Sequence, residues 1–227
     1  MSGKTMLLVG FLAAMAAFSE VITPLAASLL LDRAMDRAAP TKHSSVSARS
    51  FPGVTMWLGR FDSVKAVAED ASIDGLIVQD VRVTMDGARI DMADLVLKNR
   101  VTVKEVRNLE IVMKVTENAL AGYIGAKVKE ARNPTVKISA DKIQLSSEID
   151  LGIAKLAVGV DGRIVGDAKT IRFVSDRLEI KNTGGINFGA AFGDIPLVDM
   201  TRLPFKAEVR KIVMEPGSIT IQADNHL

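Results

Sequence analysis

Along most of this chain, apolar and polar residues take turns. Leu109, Ile111, Met113 and Val115 alternate with Glu110, Val112, Lys114 and Thr116. Val136 and Ile138 flank Lys137, and Ile143 and Leu145 flank Gln144. Phe205, Ala207 and Val209 flank Lys206 and Glu208, and Ile219 and Ile221 flank Thr220. A period of two with one apolar face belongs to strands covered on one side only. Asp-Gly pairs at Asp74–Gly75, Asp86–Gly87 and Asp161–Gly162, and the "EPGS" from Glu215 to Ser218, read as turns between strands. The expectation is a mainly antiparallel sheet with meander-like connections.

One segment leaves this period. "TENALAGYIGAKVKEARNP" opens on Thr116 as an N-cap, with Glu117 in the first turn, where the positive end of the helix dipole favours an anion. Leu120, Tyr123, Ile124 and Val128 form an apolar stripe, Lys127, Lys129 and Arg132 gather toward the other end, and Pro134 follows the stop. A long amphipathic helix laid on a one-faced sheet is an α+β arrangement.

The first residues follow neither period. After Lys4 comes an uncharged apolar stretch from Met6 to Phe18, closed by Glu20 and Pro24. It is shorter than the roughly 20 residues that span a bilayer and suits a signal-peptide core. Residues 1–20 are therefore expected to be a signal peptide, cleaved near Ala14–Ala16, or an uncleaved membrane anchor. Residues 21–40 read as a helix stopped by Pro40, and the Ser-rich 41–50 as a polar linker. The remaining 51–227 form the folded domain.

Composition narrows the chemistry. The chain of 227 residues is 48% hydrophobic yet only 4% aromatic, so its apolar content is aliphatic. Lys and Arg number 29 against 27 Asp and Glu; that balance leaves no polyanion footprint and argues against nucleic acid. Cysteine is absent, which removes disulfides, thiolate metal sites and Cys nucleophiles together. The two histidines, His43 and His226, have no ligand or base partner at useful spacing. The carboxylate pairs Glu69–Asp70 and Asp91–Asp94 have no partner base, and Gly184, Gly185, Gly189 and Gly193 fit no nucleotide-binding spacing. No catalytic residue, metal site or cofactor is expected, and the chain is read as a non-enzyme.

Three segments in order resemble the LmeA-like family of bacterial phospholipid-binding proteins. They are "SFPGVTMWLGRFDSVKAVAEDASIDGLIVQDVRV" (Ser50–Val83), "VTENALAGYI" (Val115–Ile124) and "IPLVDMTRLPFKAEVRKIVMEPGSITIQA" (Ile195–Ala223). The resemblance implies a strongly curved antiparallel sheet wrapped around the long helix, similar to tubular lipid-binding domains, with acyl chains held between them. It also implies an extracytoplasmic protein, secreted or anchored to the cytoplasmic membrane. The function expected is a lipid carrier or sensor in cell-envelope biogenesis, with phospholipid or a membrane surface as partner. The alternative is a structural or assembly protein of the envelope whose sheet covers a plain core.

Candidate residues follow from that picture. Aliphatic side chains, adaptable Met among them, can line an acyl trough, each buried methylene contributing about 0.8 kcal/mol. Phe51, Trp57, Leu58 and Phe61 lie too irregularly for one strand face and read either as the mouth of a pocket or as core. Leu120, Tyr123 and Ile124 would close one wall. Phe188 and Phe192, in the Gly-rich "TGGINFGAAFGDIPL", make a second candidate mouth, and Leu203 and Phe205 are further lipid-binding candidates. Arg60, Lys65, Arg202 and Lys206 lie near the two mouths as candidates for a phosphate headgroup.

Overall fold

The computed structural model describes residues 25–31, 41–98, 100–128, 131–150, 155–180, 194–203 and 205–226. The expected signal or anchor at 1–20 and most of the 21–40 helix lie outside them; 25–31 is helical and is called α1 here. Among the described residues no helix is long and apolar enough to cross a membrane.

The remaining elements are β1 (His43–Arg49), a 3-10 helix (Gly53–Leu58), β2 (Arg60–Ile73), β3 (Leu76–Ile90), α2 (Met92–Lys98), β4 (Val103–Glu105) and β5 (Asn108–Thr116). They continue with α3 (Glu117–Lys127), β6 (Ala131–Ile138), β7 (Ile143–Asp150), β8 (Lys155–Gly166) and β9 (Thr170–Ile180). Last come β10 (Asp194–Asp199), a 3-10 turn (Met200–Arg202), β11 (Glu208–Glu215) and β12 (Ser218–Asp224). They build two sheets, not one. The first runs β1-β2-β3-β5-β12-β11, with β4 on β3; the second runs β10-β9-β8-β7-β6. The second is a meander in which neighbours in sequence pair antiparallel. Mostly antiparallel sheet with few helices is the architecture, as the period of two requires.

The described residues fall into two compact units: 25–31 with Ser44–Val67 and Val83–Leu109, and Thr41–His43 with Ala68–Arg82 and Glu110–Leu227. Alternation becomes burial most plainly in the second. Ile111, Met113 and Val115 of β5 are all buried, as are Ile219, Ile221 and Ala223 of its partner β12.

Several expectations are corrected. The stretch 41–50 is not a linker, for it contains β1. That strand ends the order of the first sheet and buries only Ala48, so its polar sequence is what a strand with a solvated face requires. Asp86–Gly87 lies inside β3, with Gly87 at φ +63°. Asp161–Gly162 lies inside β8 at a register shift, where a Cβ on Gly162 would stand 2.4 Å from the Val174 carbonyl oxygen. Both are strand irregularities, while Asp74–Gly75 and Pro216–Gly217 do turn the chain.

The helix is also shorter than expected. Thr116 caps it, its hydroxyl accepting from the Ala119 N–H at 3.4 Å. It ends after 11 residues at Lys127, where Val128 turns extended. The chain then enters β6, with Pro134 inside that strand. A proline is tolerated there because β6 is an edge strand whose ladder shifts between Arg132 and Thr135. The expected single sheet around a long amphipathic helix is replaced by two sheets and a three-turn helix.

Candidate functional site

The segment that follows β1 folds into a ridge. Pro52 holds φ at −69° at the N-cap of the 3-10 helix, and Gly59 closes it in the left-handed region at φ +75°. The peptide bond before Pro52 is cis. The Pro52 carbonyl accepts from both the Thr55 N–H (3.0 Å) and the Thr55 hydroxyl (2.8 Å), and that hydroxyl meets Ser50 at 2.8 Å. The Phe51 N–H donates to Asp62 Oδ2 at 2.7 Å. At the far end the Ile90 N–H donates to the Gly59 carbonyl at 2.8 Å, tying the segment to the strand that leads into α2.

A 3-10 helix has three residues per turn, so positions i and i+3 share an edge. Gly53 and Met56 take the inner edge and are buried. Val54 and Trp57 take the outer edge, with Phe51 one step before them and Leu58 beside them. Phe51 is 82% exposed, Leu58 72%, and Val54 and Trp57 each 56%. Large apolar side chains gathered at such exposure mark an interaction surface. Between core and mouth, these four residues are outside the core. Phe61 is not: at 2% exposure it is an interior residue of β2.

Beside the ridge lies an open cleft of about 460 Å³, lined by Leu25 and Ser28 of α1, by residues 47–51 and by Asp62. Its volume falls within the range of about 300–1,000 Å³ typical of ligand sites. The Ser28 hydroxyl accepts from the Ala48 N–H at 3.0 Å and fastens α1 to β1 there. Leu25 and Leu29 of α1 are themselves about as exposed as the ridge, at 61% and 60%. Arg49, Arg60 and Lys65 are exposed, and among the described residues none of them forms an ion pair.

The other candidates belong to the second unit. Leu120, Tyr123 and Ile124 share one face of α3 and are all buried. The Tyr123 hydroxyl donates to the Pro196 carbonyl at 2.6 Å, and Lys127 Nζ stands 5.4 Å from its ring centre. Burial, and next the charge of Asp74, push the Tyr123 phenol up, so it stays a neutral donor. Glu117 Oε1 accepts from the Ile138 N–H at 2.8 Å and braces the first turn of α3 against β6. These contacts make the helix face a packed interior. Arg202 meets Asp74 at 2.9 Å and Asp199 at 3.3 Å, so two carboxylates already answer its charge. Lys206 is exposed, and Leu203 and Phe205 are half-buried. Phe188 and Phe192 lie outside the described residues.

The structure thus brings Phe51, Trp57, Leu58 and Arg60 together and separates Phe61 from them as core. Sequence reasoning missed Val54, Leu25, Leu29 and Arg49. The period of three through Phe51, Val54 and Trp57 is the signal in the sequence for Val54, and it is invisible to a strand's period of two. Among the described residues no group of His, Asp and Glu is arranged to hold a metal ion.

The model of the LmeA-like phospholipid-binding family matches residues 14–224 of the chain. No curated protein and no solved structure matches it.

Proposed function

The chain belongs to the LmeA-like phospholipid-binding family, and from that premise we propose that it is a non-enzymatic, extracytoplasmic phospholipid carrier. The apolar stretch Met6–Phe18 after Lys4 supports export, since its length suits a signal-peptide core. A phospholipid would enter acyl chains first at the cleft beside Phe51, leaving its headgroup near Arg49. The observation that carries this reading is the exposed ridge of Phe51, Val54, Trp57 and Leu58 next to that open cleft. An acyl chain covering Phe51 and Leu25 removes apolar surface from water at about 25 cal/mol per Å². An extended headgroup phosphate meets an arginine that has no competing carboxylate among the described residues.

The test is native mass spectrometry of the purified full chain, followed by lipid extraction. A co-purifying diacyl lipid, reduced in a Phe51→Ser variant that melts at the parental temperature, is the expected result. A preparation that carries no lipid and takes none up from short-chain phospholipid micelles refutes the carrier reading.

A further inference from the structure

We propose that the ridge is a wedge by which the protein docks on a bilayer carrying anionic lipid, the Val54, Trp57 and Leu58 side chains entering the headgroup boundary. This deepens the lipid-binding reading of the same surface and rests on it for the kind of partner.

Three observations select a bilayer. The first is size and shape. A stable protein interface uses about 20–30 residues a side, whereas the ridge offers four large apolar side chains, three on one short 3-10 helix and Phe51 just before it. That is small for a protein partner and sufficient for shallow insertion, in which each side chain is covered by lipid individually. The second is chemistry. Trp57, the only Trp in the chain, is 56% exposed, and an indole suits a boundary that is apolar on one side and wet on the other.

The third is charge. From Arg49 to Lys65 the cations are Arg49, Arg60 and Lys65, and the one carboxylate is Asp62, so three minus one leaves +2 on the segment. Asp62 is engaged with the Phe51 N–H, and the cations form no ion pair among the described residues. Arg49 precedes the apolar run and Arg60 follows it. The arrangement of an apolar tip between cations matches an anionic lipid surface, where basic residues near the headgroups add to apolar insertion. The sequence adds continuity: the apolar stretch Met6–Phe18 ends shortly before α1, which Ser28 fastens beside this ridge.

The experiment is flotation of the full chain with vesicles of phosphatidylcholine alone and of phosphatidylcholine with phosphatidylglycerol. The expected result is binding to the mixed vesicles, weakened by salt. Arg60→Gln should lower the partition about fivefold, and the double variant Trp57→Ser, Leu58→Ser should lower it by about two orders of magnitude. Because these side chains are exposed, the melting temperature of each variant is checked alongside. The parental protein supplies an independent reading: vesicles with brominated acyl chains should quench emission from Trp57. Flotation of the double variant at the parental level, or unquenched Trp57 in bound protein, overturns the wedge. So does a ridge-dependent dimer with no vesicle binding, which would make the ridge a protein interface. Absence of co-purifying lipid, together with no uptake from short-chain phospholipid micelles, overturns only the carrier reading, since flotation and quenching do not require a lipid in the cleft.

Discussion

Substituting Gly59 by Ala tests how the ridge is held. Gly59 has φ +75° and ψ 16°, a conformation that disfavours any Cβ by about 1–2 kcal/mol. Its surroundings add more: a Cβ would stand 2.1 Å from the Ile90 carbonyl oxygen and 3.3 Å from its carbon. An ordinary carbon–oxygen contact is about 3.3 Å, so the two backbones must part by about 1.2 Å. That movement stretches the hydrogen bond from the Ile90 N–H to the Gly59 carbonyl, now 2.8 Å, beyond useful reach. Ile90 is buried, and leaving its N–H unsatisfied costs about 1–3 kcal/mol. Together these give a loss of about 3 kcal/mol, which at roughly 2–4 °C per kcal/mol lowers the melting temperature by about 6–12 °C. The matched control is Gly122→Ala in α3, an exposed helical position where a Cβ meets nothing within 4 Å. There alanine should stabilise by about 0.5–1 kcal/mol. Thermal melts of the two variants, followed by far-ultraviolet circular dichroism, should move in opposite directions. Equal midpoints would refute the claim that the approach of Gly59 to Ile90 excludes a side chain.

Other consequences can be checked on the same protein. Trp57→Ala should leave the melting temperature within a few degrees of the parent, because the roughly 3–5 kcal/mol lost on truncating a core aromatic does not apply to a half-exposed ring; a collapsed midpoint would return Trp57 to the core. Tyr123→Phe removes the hydrogen bond to the Pro196 carbonyl and should lower stability by about 1 kcal/mol in urea titrations. A hydrogen bond from Arg100, then those from Lys98 and Thr102, hold the Asp94 carboxyl well below the usual range. Asp91, Asp167, Asp199 and Asp224 are lowered as well, through their own side-chain and backbone donors. A depressed carboxylate stabilises above its unfolded value, near 4, and that stability is lost as the pH falls through the folded value. Melting temperatures should therefore be level from about pH 7 to 5 and decline below about 4, with a shallower acid decline in Asp94→Asn.

Strands whose two faces meet different solvents were legible. The β5 alternation, the Thr116 cap and the Pro216–Gly217 turn each follow from a few neighbouring residues, and the structure has all three. What escaped depends on residues distant in sequence. Asp-Gly at 86–87 carries the same local signal as a hairpin turn, yet here Gly87 supplies a left-handed step inside a continuing strand. The end of α3 was hidden because Val128 continues the apolar stripe and is buried, although it is no longer helical. Partition into two sheets depends on pairings such as β5 with β12, about a hundred residues apart in the chain, which no local period encodes. The ridge was half legible: its composition drew attention to Phe51, Trp57 and Leu58, but only the three-residue period separates their edge from that of Met56.

That separation bears on how such a protein can change. Met56 alone of the large 3-10 residues faces inward, and Gly59 locks the exit, so folding constrains those two positions and leaves 54, 57 and 58 nearly free. Side chains at the three outer positions can be exchanged for ones of other bulk or polarity at little expense to stability, because surface substitutions usually stay within about 0.5 kcal/mol. The turn behaves as a tool-holder with interchangeable bits. Selection on what the ridge touches can act on the bits one at a time, while the holder and the sheet behind it stay as they are.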